Sequence, residues 1–423
     1  MNFRLYWPAL ALGLFFCSSA AGAQQALTWD QVRARFESNN PALKADADNV
    51  DEMKAEEITA YLRPNPQFGL LADGTQIVPH DGVWTPFKGT YEEPSVSYLH
   101  ERDHKRELRL ESAQQGTQIS ESQHEDLKRT LEFTLRSAFV QTLEADAVLK
   151  LAQDDLAYYD KIIAISRDRF NAGDIASVDF DRIELQRVQY EAELQTAIVN
   201  LRTAKIQLLQ MLDDRTPVAQ FDVAGTFDFS DALDPLENFR QIALASRPDL
   251  QAALETIQQS ETNHKLAISN GSTDPTFGAW YTHNSSTNNP DGIDTLGASV
   301  NIPLRIFDRN QGEKQRTQID IDRSRQASEA TRAQVFSDVD TAYAEVASNI
   351  ALLKPYKAQY NAQALRVRDT VTYSYEHGGA SLMDFIDAQS DFRQVQLAYV
   401  QLIGAYLTAA AQLNLAVGRE VIQ

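Results

Sequence analysis

The run HERDH, His100 to His104, sets two imidazoles around the carboxylates of Glu101 and Asp103. Those are donor types that a divalent cation accepts. The spacing alone is unspecific, and the run falls where a strand gives way to a helix, so it reads as a charged, solvated junction. His124 opens HEDL but lacks the second histidine of an H-E-x-x-H zinc helix. His80 and His283 belong to outer loops and carry less. The chain has no G-x-S-x-G elbow, no phosphate loop and no dinucleotide glycine motif. What remains is the chemistry of charge: 59 Asp and Glu against 39 Lys and Arg, a formal net charge of −20. That balance excludes nucleic acid as a partner, because a phosphate backbone needs a basic face. Carboxylates spread along helical faces mostly solvate them. The expectation is a protein that is not an enzyme, with no cofactor and no metal site.

The N-terminus reads as a targeting segment. Arg4 is the only charged side chain before Asp30, an apolar run follows from Leu10 to Phe16, and Ala21-Gly22-Ala23 supplies a small-residue cleavage site. Residues 1–23 are therefore expected to be a secretory signal. The single cysteine, Cys17, leaves with it, so the mature chain has no thiol for a disulfide, a metal or a nucleophile. Losing Arg4 takes the charge from −20 to −21. Beyond the signal no uninterrupted apolar run of about 20 residues exists, which leaves a closed β-barrel as the way to cross a bilayer.

The elements that follow are written twice. RFNAGDIASVDF, Arg169 to Phe180, is echoed by SYEHGGASLMDF, Ser374 to Phe385. NPALKAD answers RPDLQAA, NPQFGLL answers DPTFGAW and RSAFVQTL answers DTAYAEVA, in the same order and at nearly the same shift. Such self-similarity predicts two structural repeats, 24–235 and 236–423. Each reads helix, strand, strand, long helix, turn, helix. The first helix is expected over 29–61. The long helices are expected over 105–171 and 309–376, the second with a kink at Pro355.

The helices after the turns carry heptads. One runs Phe180, Ile183, Arg187, Tyr190, Leu194, Ala197, Leu201, Ala204, Leu208, and the other Phe385, Ala388, Phe392, Val395, Tyr399, Leu402, Tyr406, Ala409, Leu413. A 3.5-residue seam winds helices into a left-handed coiled coil. Two half-length helices stacked end to end can flank one long helix. The strands are short; in the last, Leu296, Ala298, Val300 and Ile302 share one greasy face. Four strands cannot close a barrel, whereas three chains supply twelve and remove the edges that lipid forbids. The fold class expected is mainly α with a small β part.

The two-fold repeat, the signal, the turns FNAGDIASVDF and YEHGGASLMDF and the ending AAAQLNLAVG resemble the TolC-type outer-membrane efflux channels over essentially the whole mature chain. VNIPLRIFDRNQGE, Val300 to Glu313, is similar to the strand-to-helix junction of the CzcC-like branch, which serves exporters of heavy-metal cations. The resemblance implies a homotrimer with a 12-stranded barrel in the outer membrane and an α-helical tunnel in the periplasm. It implies two partners besides lipid: a periplasmic adaptor and an inner-membrane RND-type pump. The work would be passive passage and gating. Alternatives are a channel for drugs or a secreted polypeptide, and a soluble periplasmic coiled-coil adaptor.

On that resemblance the two turns are periplasmic tips, and Gly173, Asp174, Ser177, Gly378, Gly379 and Ser381 form the adaptor-docking rim. Asp174 and Ser177 also stand where a side-chain oxygen caps the next helix. The family's acidic ring above the tips maps onto Asp369, with Tyr373 close by, as a candidate gate. Three carboxylates in a constriction would favour cations. Arg368 beside Asp369 departs from a purely acidic ring.

Overall fold

The computed structural model describes residues 26–284 and 293–422. The signal reading at 1–23, with Cys17, lies outside the described residues. The chain opens with α1 (Trp29–Asn39) and α2 (Pro41–Tyr61). A single helix was expected here, but Asn40 and Pro41 divide it. The Asn40 side chain accepts hydrogen bonds from the amides of Ala42 and Leu43, and Pro41 brings no N–H to leave unpaired. The same punctuation at Arg247 and Pro248 separates α5 (Leu236–Ser246) from α6 (Pro248–Ser269). Arg247 is buried at that corner, paired with Asp249 at 2.6 Å and Asp338 at 2.8 Å. It also donates to the Ala416 carbonyl at 3.2 Å.

The central rod is α3 (Lys105–Ala172), 68 residues or about 100 Å long. Its first half carries α2, through Thr117 to Glu57 at 2.6 Å and His124 to Asp46 at 2.8 Å. Its second half carries α4 (Ser177–Met211), where Tyr159 donates to the Ile183 carbonyl and Arg187 pairs with Asp160. Two short helices thus line one long one. In the second half of the chain the long rod is interrupted. α7 (Gln311–Pro355) runs into a π-helical turn at Tyr356–Tyr360, and α8 (Asn361–Glu376) continues beyond it. Pro355 has no N–H to give and crowds the carbonyl four residues back, and the widened turn absorbs the mismatch.

α9 (Leu382–Val417) closes the chain. The heptads form the seams: Ile183, Tyr190, Ala197, Leu201, Ala204 and Leu208 are buried on α4, and Phe385, Ala388, Tyr406, Ala409, Leu413 and Ala416 on α9. Among the described residues α9 is the one helix long and apolar enough to span a bilayer, but it packs on α3, α7 and α8.

Four antiparallel strands, β1 (Gln67–Asp73), β2 (Tyr91–Leu99), β3 (Thr276–Asn284) and β4 (Asp294–Asn301), make one sheet in that order. The register Phe68↔Val96↔Ala279↔Ala298 puts Phe68, Leu70, Val96, Phe277, Tyr281, Leu296 and Val300 on one face. That face is bare: Phe68 is 73% exposed and Leu296 85%. The other face carries Gly69, Ser95, Gly278, Gly297 and Ser299, with Leu71, Leu99 and Trp280 among them. The Trp280 ring lies on Gly297 there, so closely that a Cβ would not fit.

Candidate functional site: the two helical tips

The first tip begins where α3 runs out at Gly173, whose φ of 83° is the left-handed conformation that stops a helix. The Gly173 amide bonds the Phe170 carbonyl at 3.0 Å and the Asp174 amide the Arg169 carbonyl at 2.9 Å. At the second tip Gly378 has φ 75°, its amide bonding the Tyr375 carbonyl at 3.1 Å, and the Gly379 amide reaches Ser374 at 2.7 Å. The two loops end their first helix alike.

They start the next helix differently. At the second tip Ser381 is the N-cap: its hydroxyl accepts from the Asp384 amide at 3.2 Å, while the Asp384 carboxylate accepts from the Ser381 amide at 3.1 Å. This reciprocal pair is a capping box; the Ser381 hydroxyl, donating to the carboxylate at 2.7 Å, and then the Ser381 amide hold the Asp384 carboxyl below the usual carboxylate range. At the first tip the N-cap is Ala176, with no side-chain cap. The expected cap from Asp174 or Ser177 is therefore corrected: Ser177 is already the first helical residue, and neither side chain closes the turn. Gly173, Asp174, Ser177, Gly378, Gly379 and Ser381 are all exposed, as are Val178 and Met383, one residue inside each helix start.

Beneath the exposed loops the tips share one core. Tyr159, Ile162, Ile163, Ile183, Tyr190, Tyr375 and Phe385 are buried together. Equivalent ring pairs stack in both hairpins, Phe170 on Phe180 at 5.4 Å and Tyr375 on Phe385 at 4.9 Å. Arg169 of the first tip clasps the second, donating to the Tyr375 carbonyl at 2.8 Å with its guanidinium 5.1 Å from the Tyr375 ring.

Asp369 and Tyr373 lie one turn apart on α8, both exposed. Arg368 donates to the Asp369 carboxylate at 2.9 and 2.8 Å, so the carboxylate is neutralised within its own chain. The same guanidinium lies over Phe392 at 4.1 Å and Tyr158 at 4.7 Å, joining the two hairpins. Tyr373 contacts the His377 ring at 4.0 Å and has no bond to Asp369. Sequence reasoning missed the neighbouring carboxylate, Asp155 on α3. Burial pushes its pKa up to about 6, with Glu193 and Asp154 adding to the rise and Arg393 and Arg368 opposing it. Its signal would have been an acidic residue facing the α9 seam, visible only once α3 and α9 are known to meet. In HERDH, Glu101 is occupied by Arg109 at 2.5 Å and His100 packs on Phe277.

A sheet with a bare apolar face is thus set on two long antiparallel hairpins. Residues 239–419 match the family described as outer membrane efflux protein. The cobalt-zinc-cadmium resistance protein CzcC of Cupriavidus metallidurans is 23% identical over 96% of this chain and 92% of its own length. The outer membrane efflux protein BepC of Brucella suis is 23% identical over 70% of this chain and 66% of its own. Among solved structures, CusC superposes with a TM-score of 0.78 at 17% identity, covering 92% of each chain. The outer membrane channel CmeC of Campylobacter jejuni gives 0.75 at 14% identity, over 93% of this chain and 87% of that one. The match to the outer membrane efflux protein family covers the second half of the chain, and the fold over its whole length is that of the channels it superposes on.

Proposed function

We propose that the chain is the exit duct of a tripartite efflux assembly for heavy-metal cations. Three copies would close a 12-stranded barrel in the outer membrane and continue it as a helical tunnel in the periplasm. The observation that carries this is the sheet. Phe68, Leu70, Leu296 and Val300 stand exposed on one face, while the opposite face mixes glycine and serine with Leu71, Leu99 and Trp280. A bare apolar outside is what a lipid-embedded barrel requires. A soluble adaptor would have to cover that face, and no helix does so among the described residues. The cargo reading is supported by the similarity to CzcC along nearly the whole chain.

The tips are proposed as the adaptor-docking rim, through Gly173, Asp174, Ser177, Gly378, Gly379 and Ser381, with Val178 and Met383 as exposed apolar contacts. The gate is proposed at the level of Asp369 and Tyr373. The domain plan that follows is a signal at 1–23 and repeats at 24–235 and 236–423. The test is a purified product in detergent together with a deletion strain. A trimer with mixed helix and β signal, and a strain sensitised to cobalt, zinc or cadmium and rescued by the gene, are expected. A monomer that needs no detergent overturns the duct, and unchanged metal tolerance overturns the cargo.

A further inference from the structure

A cavity lies far from the tips, between α1, α3 and the last turn of α9. It has a volume of about 280 Å³, with Trp29, Phe133, Pro248 and Leu415 as apolar walls. Five cationic side chains also line it, Arg33, Lys128, Arg129, Arg136 and Arg419. Three are answered within the chain. Arg33 bonds Glu37 and Glu132, Lys128 pairs with Glu37, and Arg129 holds Asp126 and the Leu415 carbonyl.

Arg136 is not answered. It makes no ion pair or hydrogen bond among the described residues. Its guanidinium lies over the Trp29 ring at 4.5 Å and near the Phe139 ring at 5.7 Å. Burial lowers its pKa, and Glu420 and Asp30, close enough to raise it, do not pair with it. Arg419 is exposed and likewise unpaired.

We propose that this cavity is a binding site for an organic monocarboxylate, with the Arg136 guanidinium as donor to its carboxylate and the Trp29 ring as the wall behind it. A planar guanidinium fork matches a carboxylate in geometry as well as charge. The apolar walls at Phe133 and Leu415 fit a short apolar stem. A doubly charged phosphate is disfavoured, because Glu125, Glu132 and Glu420 also line the cavity and would repel it. The assignment does not depend on what the duct carries.

The test is calorimetric titration of the purified full chain in detergent with N-acetylalanine, with its uncharged amide and with inorganic phosphate. Saturable binding of N-acetylalanine is expected, with none of the amide and much weaker binding of phosphate. R136Q should weaken binding about tenfold or more, the scale of a charge-assisted hydrogen bond. R136K keeps the charge without the fork, and supplies the answer if R136Q does not fold. No saturable binding, binding of the amide or phosphate as tight as that of the carboxylate, or wild-type binding by R136K and R136Q would each overturn the proposal.

Discussion

The turn at 172–177 and the turn at 376–382 occupy equivalent places in the two halves of the chain, yet they close differently. Both stop a helix with a left-handed glycine, and both stack an aromatic pair below it. The second adds a Ser381–Asp384 capping box, while the first has Ala176 and Asp179 in the same places. The first instead reaches across with Arg169, where the second has Ser374. One tip is fastened from within and the other by its neighbour. Two loops built on the same glycine, aspartate and phenylalanine can therefore differ in how independently they open.

The largest test is the aromatic pair. Phe385 is fully buried, whereas Phe180 is only half-buried. Phe385→Ala should lower stability by about 3–5 kcal/mol and Phe180→Ala by clearly less. Thermal unfolding of both variants in one detergent measures this. Equal losses would mean that the second tip is not the more tightly seated.

Asp155 tests the join between hairpins next. Its carboxyl titrates near 6 in the folded coil, against 3.8 for an ordinary aspartate, with burial as the chief cause. Between those values the folded chain keeps a proton that the unfolded chain has lost. Stability from this group therefore falls as pH rises from near 4 to near 6 and is level above. Asp155→Asn should remove that slope and gain about 2 kcal/mol at neutral pH, after discounting for solvent screening. Unfolding midpoints followed from pH 4 to 8 decide it, and an unchanged slope would locate the titration elsewhere.

Arg169→Ala removes a hydrogen bond to a carbonyl and a cation–ring contact, together worth about 1–3 kcal/mol. Amide exchange should quicken at both tips, because the clasp spans them. Quickening at the first tip alone would show that the second holds without it.

Much of this was legible because periodicity is local. The heptads from Ile183 and Phe385 named the buried seams, and the alternation at Leu296, Ala298 and Val300 named the bare face of the sheet. Asn40-Pro41 and Arg247-Pro248 are helix punctuation that a sequence shows as plainly, since a proline at the first helical position starts a new helix. What the chain could not disclose is pairing between distant segments. Arg368 was noticed as a neighbour of Asp369, but its seat between Tyr158 and Phe392 needs α3, α8 and α9 brought together. Arg136 looks like any helical arginine until Trp29, 107 residues earlier, is laid against it.

The smallest effect is the most direct test of the contrast. Ser381→Ala deletes the cap and should cost about 1 kcal/mol, seen as faster exchange over 382–385. Ala176→Ser should work in the opposite sense. Its backbone, φ −71° and ψ 150°, is close to that of Ser381 at −73° and 160°, and Asp179 already stands three residues on. A hydroxyl there can accept from the Asp179 amide and complete a second capping box, gaining about 0.5–1 kcal/mol. With both tips capped, 177–180 should exchange as slowly as 382–385. If Ala176→Ser gains nothing while Ser381→Ala loses the full amount, the difference between the tips comes from the loop ahead of the cap, where Asp174 replaces Gly379, and not from the cap itself.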